Sequence, residues 1–285
     1  MLYRLQITTA MKISISNTEK LYLHNQSIEP TENLIIELPD TTKVFYEVIR
    51  VIDGKGLFLA EHLERLYQSV MLSQLNCIDI SCIKTNVIKL LKANYVKEKN
   101  LKLNFYCQNE HQELYAFFVE SNYPSNEVYE NGVRVELLPI ERHNPNVKLE
   151  NPHLRGSADK AICLSQTHEM LLVNSQGFIT EGSRSNFFAV FGNKLVTPPS
   201  QQVLEGITRT MVIKLAHENS IMLEERPIHT SEIMAMDGAF ITGTSSKVLP
   251  IAKIADHKFA TIPDSTKIMM KLYDELMVKS LTSDI

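Results

Sequence analysis

The sequence predicts a mixed α/β (α+β) protein built from two domains. Short apolar runs typical of strands alternate with amphipathic stretches typical of helices, and one polar stretch near the middle separates two such mixed halves. The length of 285 residues suits two domains of ordinary size or one large domain.

The composition is ordinary for a globular chain, with 44% hydrophobic and 22% charged residues. The net charge of -4 gives no reason to expect a nucleic acid or an anionic membrane surface as a partner. No apolar run reaches the roughly 18 residues of a membrane helix. The first residues lack the apolar middle and cleavage site of a signal peptide, and Met11 offers an alternative start.

The four cysteines, Cys77, Cys82, Cys107 and Cys163, form no CxxC motif and lie in apolar stretches. We interpret them as small core residues of a chain in a reducing compartment, and we expect a cytoplasmic protein. The sequence contains no HExxH motif and no pair of CxxC motifs, so no metal site is expected. The common nucleotide-binding motifs GxGxxG and GxxxxGK[ST] are also missing.

The first half begins with the predicted strands KISIS, KLYLHN and NLIIEL. The strand KVFYEVIRVI follows, a DGKG turn at residues 53–56 reverses the chain, and GLFLA is predicted to return it. EHLERLYQSVMLSQL is predicted as a helix because Leu63, Leu66 and Val70 share one face. IKTNVIKLLKANYVKE is a second amphipathic helix, and LKLNFYC with ELYAFFVE predicts a hairpin.

The polar stretch SNYPSNEVYENG lacks periodicity and marks the domain boundary. We therefore predict a small N-terminal domain at residues 1–120, a linker at 121–132 and a larger cofactor-binding domain at 133–285. In that domain GVRVELLPI predicts a strand and LRGSADKAICLSQTH a helix, and the next thirty residues predict three strands. GITRTMVIKLAHENS, GAFIT and KIMMKLYDELMVKSL predict a helix, a buried strand and the closing helix.

Five features of the chain carry potential chemistry, although each by itself is also typical of ordinary surface structure. They are Arg65 on a predicted helix, Lys148 in a loop, Glu181 in FITEGSRSN, the helix start LEGITR and the strand end GTSS. A helix start presents unpaired N–H groups and the positive end of the dipole, which suits a phosphate. Small hydroxyl residues at a strand end suit the same ligand.

Taken together and in order, these features resemble one family. YEVIRVIDGKGLFLAEHLERL, ITEGSRSNFFAV, KLVTPP and LEGITR are similar to motifs of the class IV aminotransferases, the pyridoxal-phosphate enzymes of fold type IV. That family includes branched-chain aminotransferases, D-amino-acid aminotransferases and 4-amino-4-deoxychorismate lyases. The resemblance runs from about Val44 to the final helix. It implies pyridoxal 5'-phosphate as cofactor, an amino acid and a 2-oxo acid as substrates, and a homodimer.

The resemblance implies a role for two central residues. Lys148 would form the Schiff base with the cofactor aldehyde, and its separation of 33 residues from Glu181 is close to the family's usual spacing. Lys160 is the rival, but it lies on the solvent side of a predicted helix and too close to Glu181 in sequence. Glu181 would face the pyridine nitrogen and keep the ring protonated as an electron sink.

The same resemblance implies a set of phosphate ligands. Arg65 would grip the phosphate through charge-assisted hydrogen bonds. The remaining ligands would come from the helix start and the strand end: Gly206, Ile207, Thr208, Thr244 and Ser245.

The branch within the family stays open on the sequence alone. Tyr46 falls where the D-amino-acid branch has a tyrosine near the substrate carboxylate, but in the following hairpin that branch's arginine is missing and His111 remains. His153 stands where branched-chain enzymes have a tyrosine, and Val48 stands where the lyases have a threonine. The family's Gly-rich DRGxxYGDG-like segment is replaced by IIELPDTTKVF.

Three functions are compatible with this pattern. The first is a transaminase of small amino acids, and the second is a 4-amino-4-deoxychorismate lyase that releases pyruvate. The third is a catalytically idle homologue that binds cofactor, which the retention of Lys148, Arg65 and Glu181 disfavours. Arg184 has no assigned role, and we expect it to pair with a nearby carboxylate.

Overall fold

The computed structural model describes residues 10–14, 18–32, 35–39, 42–75, 78–108 and 111–282. The chain divides into two compact units, Met1–Ser121 with Lys148–Glu150, and Asn122–Val147 with Asn151–Ile285. The stretch predicted as a linker, 121–132, contains a short helix and belongs almost entirely to the second unit. Residues 148–150, predicted in the C-terminal domain, belong to the first unit because their backbone pairs with a strand there.

The elements of the first unit, within the described residues, are strands β1 (Ala10–Ser14), β2 (Leu21–His24), β3 (Ser27–Pro30), β4 (Ile35–Pro39), β5 (Lys43–Ile52), β6 (Lys55–Gly56), β7 (Glu98–Gln108) and β8 (His111–Val119), and helices α1 (Leu59–Leu72) and α2 (Ile80–Asn94).

The first unit is organised around an antiparallel sheet with strand order β3-β2-β8-β7-β5-β6. The DGKG turn is confirmed, since Asp53 and Gly54 both have positive φ, as a tight hairpin requires. Helix α1 begins at Leu59, so GLFLA contributes only Gly56 to a strand and was wrongly predicted as a returning strand. The predicted face of α1 is buried, and α1 packs on β5.

The elements of the second unit, within the described residues, are helices α3 (Asn126–Asn131), α4 (Pro152–Ser165), α5 (Ile207–Glu218) and α6 (Asp264–Thr282), and strands β9 (Val133–Leu138), β10 (Glu169–Val173), β11 (Phe178–Gly182), β12 (Asn186–Phe191), β13 (Lys194–Thr197), β14 (Leu223–Glu225), β15 (Ile228–His229), β16 (Gly238–Gly243), β17 (Lys247–Ile254) and β18 (His257–Lys258), with 3-10 turns at Ser200–Gln202 and Thr230–Ala235.

The main sheet of the second unit closes on itself. Its strands run β12-β16-β17-β9-β10-β11, and β11 pairs again with β12 through Glu181 and Asn186. Closure removes free edges from these strands and encloses an apolar core that includes Phe187, Ile241 and Leu249. The β9–β10 and β9–β17 pairs are parallel, and the other pairs around the ring are antiparallel.

The prediction of three strands between residues 169 and 197 was one short. The structure has four, because a turn at Ser183–Ser185 separates β11 from β12. The mixed α/β class and the predicted helices of both halves are confirmed. Cys77 and the tip of the β7–β8 hairpin lie outside the described residues. In the part of the chain that the structure describes, no helix is long and apolar enough to cross a membrane.

Candidate active site

The segment Lys148–Glu150 is held against strand β5 by backbone hydrogen bonds. Tyr46 N donates to the carbonyl of Lys148 at 3.2 Å, and Glu150 N donates to the carbonyl of Val44 at 2.8 Å. The N–H of Lys148 also donates to Oγ of Ser69 on α1 at 3.1 Å. The lysine therefore projects from a backbone that is fixed on both sides, although the segment is only three residues long.

The ammonium of Lys148 lies against an aromatic ring. Its Nζ is 4.5 Å from the centroid of Tyr46, a distance typical of a cation–π contact. Lys102 on β7 lies near the same ring, with its Nζ 5.5 Å from the centroid. The structure thus brings Lys148 and Tyr46 together, as expected of neighbours in one site.

Arg65 is engaged by a carboxylate buried in the first unit. Its Nε and Nη2 donate to Oε1 and Oε2 of Glu47 at 2.8 and 2.6 Å, and Glu47 is 0% exposed. Nδ1 of the buried His62 lies 2.7 Å from Oε2 of the same carboxylate. This pairing holds the guanidinium in one orientation, which a bidentate arginine contact does well.

Burial and neighbouring charges together set the pKa values of Glu47 and His62. Burial raises the pKa of Glu47, but the charge and hydrogen bonds of Arg65 and the hydrogen bond of His62 outweigh it, so the pKa falls to about 2. Burial lowers the pKa of His62, and the charges of Arg65 and Lys148 lower it further against the opposing effect of Glu47. His62 is therefore neutral at pH 7 and donates its Nδ1–H to Glu47.

Glu181 is buried in the second unit and its two oxygens are both bound. Nε of Arg142 donates to Oε1 at 2.7 Å, and the backbone N–H of Leu204 donates to Oε2 at 3.2 Å. Glu181 is 2% exposed. The strand β11 therefore delivers a compensated carboxylate, and FITEGSRSN is not a solvated hairpin tip.

The turn after Glu181 is built around a second buried carboxylate, Glu169, which is 4% exposed. Its Oε1 accepts from Met170 N at 2.8 Å and from Ser183 Oγ at 2.7 Å. Its Oε2 accepts from Arg184 N at 3.1 Å and from Ser185 Oγ at 2.9 Å. These four uncharged donors fix the path of the chain from β11 into β12.

Asn186 connects this turn to the start of helix α5. Its Nδ2 donates to the carbonyl of Leu204 at 2.8 Å, while the N–H of Leu204 holds Glu181. A Cβ on Gly206 would overlap Oδ1 of Asn186, so the close approach requires glycine. Leu204 and Asn186 thus link the carboxylate of Glu181 to the start of helix α5.

The start of α5 fits the predicted anion site. Gly206 is the N-cap residue and no side chain caps the helix, so its first N–H groups depend on another acceptor. Oγ1 of Thr208 lies 3.3 Å from the hydroxyl of Tyr273. The Gly243–Ser246 turn lies at the same end of the sheet, because Thr242 pairs with Asn186. Thr244 and Ser245 are half-buried in that turn.

Other predicted residues lie elsewhere. His111 is exposed at the start of β8, where its Nε2 bonds Glu113 at 2.7 Å, about 13 Å along the sheet from the level of Tyr46. Lys160 is exposed on α4, as expected. The expectation for Arg184 is confirmed, because it forms an ion pair with Asp159. Among the described residues, no group of His, Cys, Asp and Glu is arranged to hold a metal ion.

Sequence reasoning missed the side chains that hold the predicted ones in place, namely Glu47, His62, Arg142, Glu169 and Asn186. Glu47, His62 and Asn186 stand inside the quoted motifs, so their positions were a usable signal. Arg142 and Glu169 lie outside those motifs and carried no local signal.

Comparison with known proteins decides the family. The family model described as "Amino-transferase class IV" matches residues 44–254, most of the chain. The chain belongs to this family. The predicted resemblance is thereby confirmed.

This class IV aminotransferase is similar to relatives of more than one branch. It is 30% identical over 221 residues to a protein of Thermotoga maritima named "Probable branched-chain-amino-acid aminotransferase", covering 75% of this chain and 78% of that protein. It is 29% identical over 230 residues to a "D-alanine aminotransferase" of Bacillus licheniformis, covering 73% and 78%.

A solved structure confirms the two-domain fold type IV architecture. The branched-chain amino acid aminotransferase of Thermobaculum terrenum in its PLP-form superposes with a TM-score of 0.80 and covers 93% of this chain and 96% of that chain. At 24% sequence identity this likeness concerns the fold alone.

Replacing Glu169 by Gln should loosen the turn after Glu181. A glutamine has one acceptor oxygen where the carboxylate has two, so donors at the turn lose their partner, at a cost of about 1–3 kcal/mol. Hydrogen exchange of a peptide that spans residues 178–191 should become faster. Glu275→Gln on the exposed face of α6 is the control. Unchanged hydrogen exchange in Glu169→Gln would show that Glu169 does not fix the turn after Glu181.

Gly206→Ala should destabilise the protein by about 1–3 kcal/mol, because the added methyl displaces Asn186. In an Asn186→Ala background the same change should cost clearly less, since the clashing amide is gone. Chemical denaturation of the four proteins of this double-mutant cycle measures the coupling. Equal costs in both backgrounds would show that Asn186 is not the obstacle.

His62 should make stability depend on pH. The pKa of His62 is lowered in the folded state, so below about pH 6.5 the unfolded state binds more protons. The free energy of unfolding therefore decreases as the pH is lowered. This loss should begin as pH drops through 6.5 and be absent above it. His62→Gln keeps a donor for Glu47 and should show a shallower decline in thermal melts between pH 7.5 and 5.5. Parallel pH profiles would rule this out.

Proposed function

We propose that this chain is a pyridoxal-phosphate-dependent aminotransferase that moves an amino group between a small amino acid and a 2-oxo acid. One observation carries the proposal most directly. The backbone of Lys148 makes two hydrogen bonds, to Tyr46 and to Ser69, and its ammonium lies against the ring of Tyr46. Membership of the class IV aminotransferases supports the same reaction.

The residues present fit the chemical groups of this cofactor. An aldehyde needs an amine, which Lys148 offers. A protonated pyridine nitrogen needs a compensated carboxylate in a dry environment, and Glu181 is one. A phosphate needs N–H donors and a cation, and we propose the start of α5 and Arg65 for these two roles. When bound, pyridoxal phosphate supplies an electron sink for the bonds at the substrate Cα.

Glu181 would act electrostatically and would not exchange protons during turnover. Arg142 and the N–H of Leu204 already occupy one contact on each of its oxygens. These contacts fix the direction of the carboxylate and favour its charged form, so it would be able to hold a proton on the pyridine nitrogen. Burial strengthens that interaction, because the surrounding dielectric constant is low.

Lys148 would carry the cofactor and would also move the proton at the substrate Cα once its amine is released. General acid–base catalysis of this kind contributes about 10²–10⁴-fold to a rate. The fixed backbone of residues 148–150 supports this role, because proton transfer requires the amine within hydrogen-bond reach of the reacting atom.

The phosphate ligands stay as predicted from the sequence. We propose that Arg65 and the N–H groups of Ile207 and Thr208 bind the phosphate. Gly206, which has no side chain, would let the phosphate approach the backbone closely. The hydroxyls of Thr208, Thr244 and Ser245 complete the set. In this arrangement Glu47 holds the guanidinium of Arg65 in one orientation.

The lyase alternative is less well supported. The relatives described above are named as aminotransferases of branched-chain amino acids or D-alanine. Val48 also lacks the hydroxyl that the lyases use in proton transfer. Tyr46 remains the proposed substrate contact, and His111 would contribute only in a homodimer, where the β7–β8 hairpin reaches a neighbouring subunit. The described cysteines are free, which supports a cytoplasmic location.

Lys148→Ala should abolish covalent attachment of the cofactor. Borohydride reduction of the wild-type protein with pyridoxal phosphate, followed by peptide mass spectrometry, should place the label on the peptide that contains Lys148. Transamination by the variant should fall by at least about 10²–10⁴-fold. Lys160→Ala, on an exposed helical face, is the control and should keep both properties. A label that persists in Lys148→Ala would exclude this lysine.

A further inference from the structure

We propose that Lys102 binds a carboxylate of the substrates and that Glu150 holds its ammonium in place when no substrate is bound. This rests on the proposed aminotransferase function and assigns the substrate contact that the hairpin sequence left open. Every amino acid and 2-oxo acid carries an α-carboxylate, and a positive partner near Lys148 would hold that group beside the amine.

The position of Lys102 follows from strand register. Lys102 on β7 pairs with Val48 on β5, two residues from the pair formed by Asn104 and Tyr46. Side chains two residues apart point to the same face of a sheet, so Lys102 and Tyr46 share one face. The Tyr46 ring accordingly has the ammonium of Lys102 at 5.5 Å and that of Lys148 at 4.5 Å from its centroid.

The arginines near this strand are committed to other partners. Arg65 uses Nε and Nη2 on the fully buried Glu47. Arg50 uses Nε and Nη2 on Glu98. The Arg65–Glu47 pair joins two nitrogens to two oxygens of a buried carboxylate, and such a pair is geometrically specific and costly to exchange.

The pair of Lys102 is of a different kind. Its ammonium meets a single oxygen of Glu150, and the two side chains are 26% and 30% exposed. Half-exposed lysine–carboxylate pairs contribute little to stability. An incoming carboxylate can therefore replace Glu150 as the partner of Lys102 at small cost.

Glu150 is well placed for such an exchange. Its N–H is bonded to Val44, so its backbone is fixed two residues after Lys148. The Glu150 carboxylate thus pairs with the ammonium of Lys102, and Glu150 belongs to the same three-residue segment as Lys148, the proposed catalytic lysine. A substrate carboxylate that takes its place would be held beside Tyr46 and Lys148.

A purely structural reading of the same pair makes a different prediction. If Lys102 only fastens the segment 148–150 through Glu150, then removing either partner should have the same effect. If Lys102 binds substrate, removing Glu150 frees the ammonium and must not weaken substrate binding.

The test compares Lys102→Met, Lys102→Gln, Lys102→Arg and Glu150→Gln in the cofactor-loaded protein. Lys99→Met is the matched control, because Lys99 lies on the same strand and pairs with Glu19. KM is measured for monocarboxylic and dicarboxylic amino donors. Calorimetry measures the Kd of unreactive mono- and dicarboxylates, a readout independent of turnover.

We expect Lys102→Met and Lys102→Gln to raise KM and the carboxylate Kd by about tenfold or more, with a smaller effect on kcat. Lys102→Arg should keep most of the affinity, and Lys99→Met should match the wild type. Glu150→Gln should lower KM. If KM rises for all amino donors, Lys102 binds the α-carboxylate. If KM rises for dicarboxylic donors alone, Lys102 binds their side-chain carboxylate.

The inference is overturned if Lys102→Met and Lys102→Gln leave KM and Kd unchanged, or if Glu150→Gln raises KM as they do. Failure of the proposed function looks different, because the wild type would then transaminate no donor. In that case the calorimetric Kd still reports whether Lys102 binds a carboxylate.

Discussion

A buried carboxylate must be fully compensated, and the candidate site is organised by this constraint. Removing a charge from water is costly unless nearby charges or hydrogen bonds replace the lost hydration. Glu47, Glu169 and Glu181 are 0%, 4% and 2% exposed, and each has donors on both oxygens. The donors come from helix α1, strand β10 and several turns and loops, so satisfying each carboxylate also fixes the segments around it.

The three carboxylates use this constraint in different ways. Glu47 is paired with a guanidinium and orients Arg65. Glu169 is bound only by uncharged donors in the contacts described, and it shapes the turn that follows Glu181. Glu181 itself has a charged partner, Arg142, and a neutral one, the N–H of Leu204, which together fix the direction of its carboxylate. In the proposed site Glu181 meets the cofactor, whereas Glu47 and Glu169 support neighbouring residues, and burial is common to all three.

The proposed site residues were predicted from a family resemblance that is carried by the order of short motifs. The resemblance implied Lys148, Glu181 and the helix start at Gly206, and the structure gives each a fixed environment. Arg142 was not predictable, because it meets Glu181 across 39 residues of sequence. The commitment of Arg65 to Glu47 was also missed, since the contact joins a strand to a helix and leaves no local pattern.

The sequence by itself determined the mixed α/β class, the helix and strand periods, the tight turn at Gly54 and the family, because these depend on local spacing and on ordered motifs. Only the tertiary structure decided that the second sheet closes through Glu181 and Asn186, and that residues 148–150 belong with the first unit. Both are backbone pairings between distant segments. Hydrogen bonds of that kind depend on which strands meet in space, and no spacing within one segment records them.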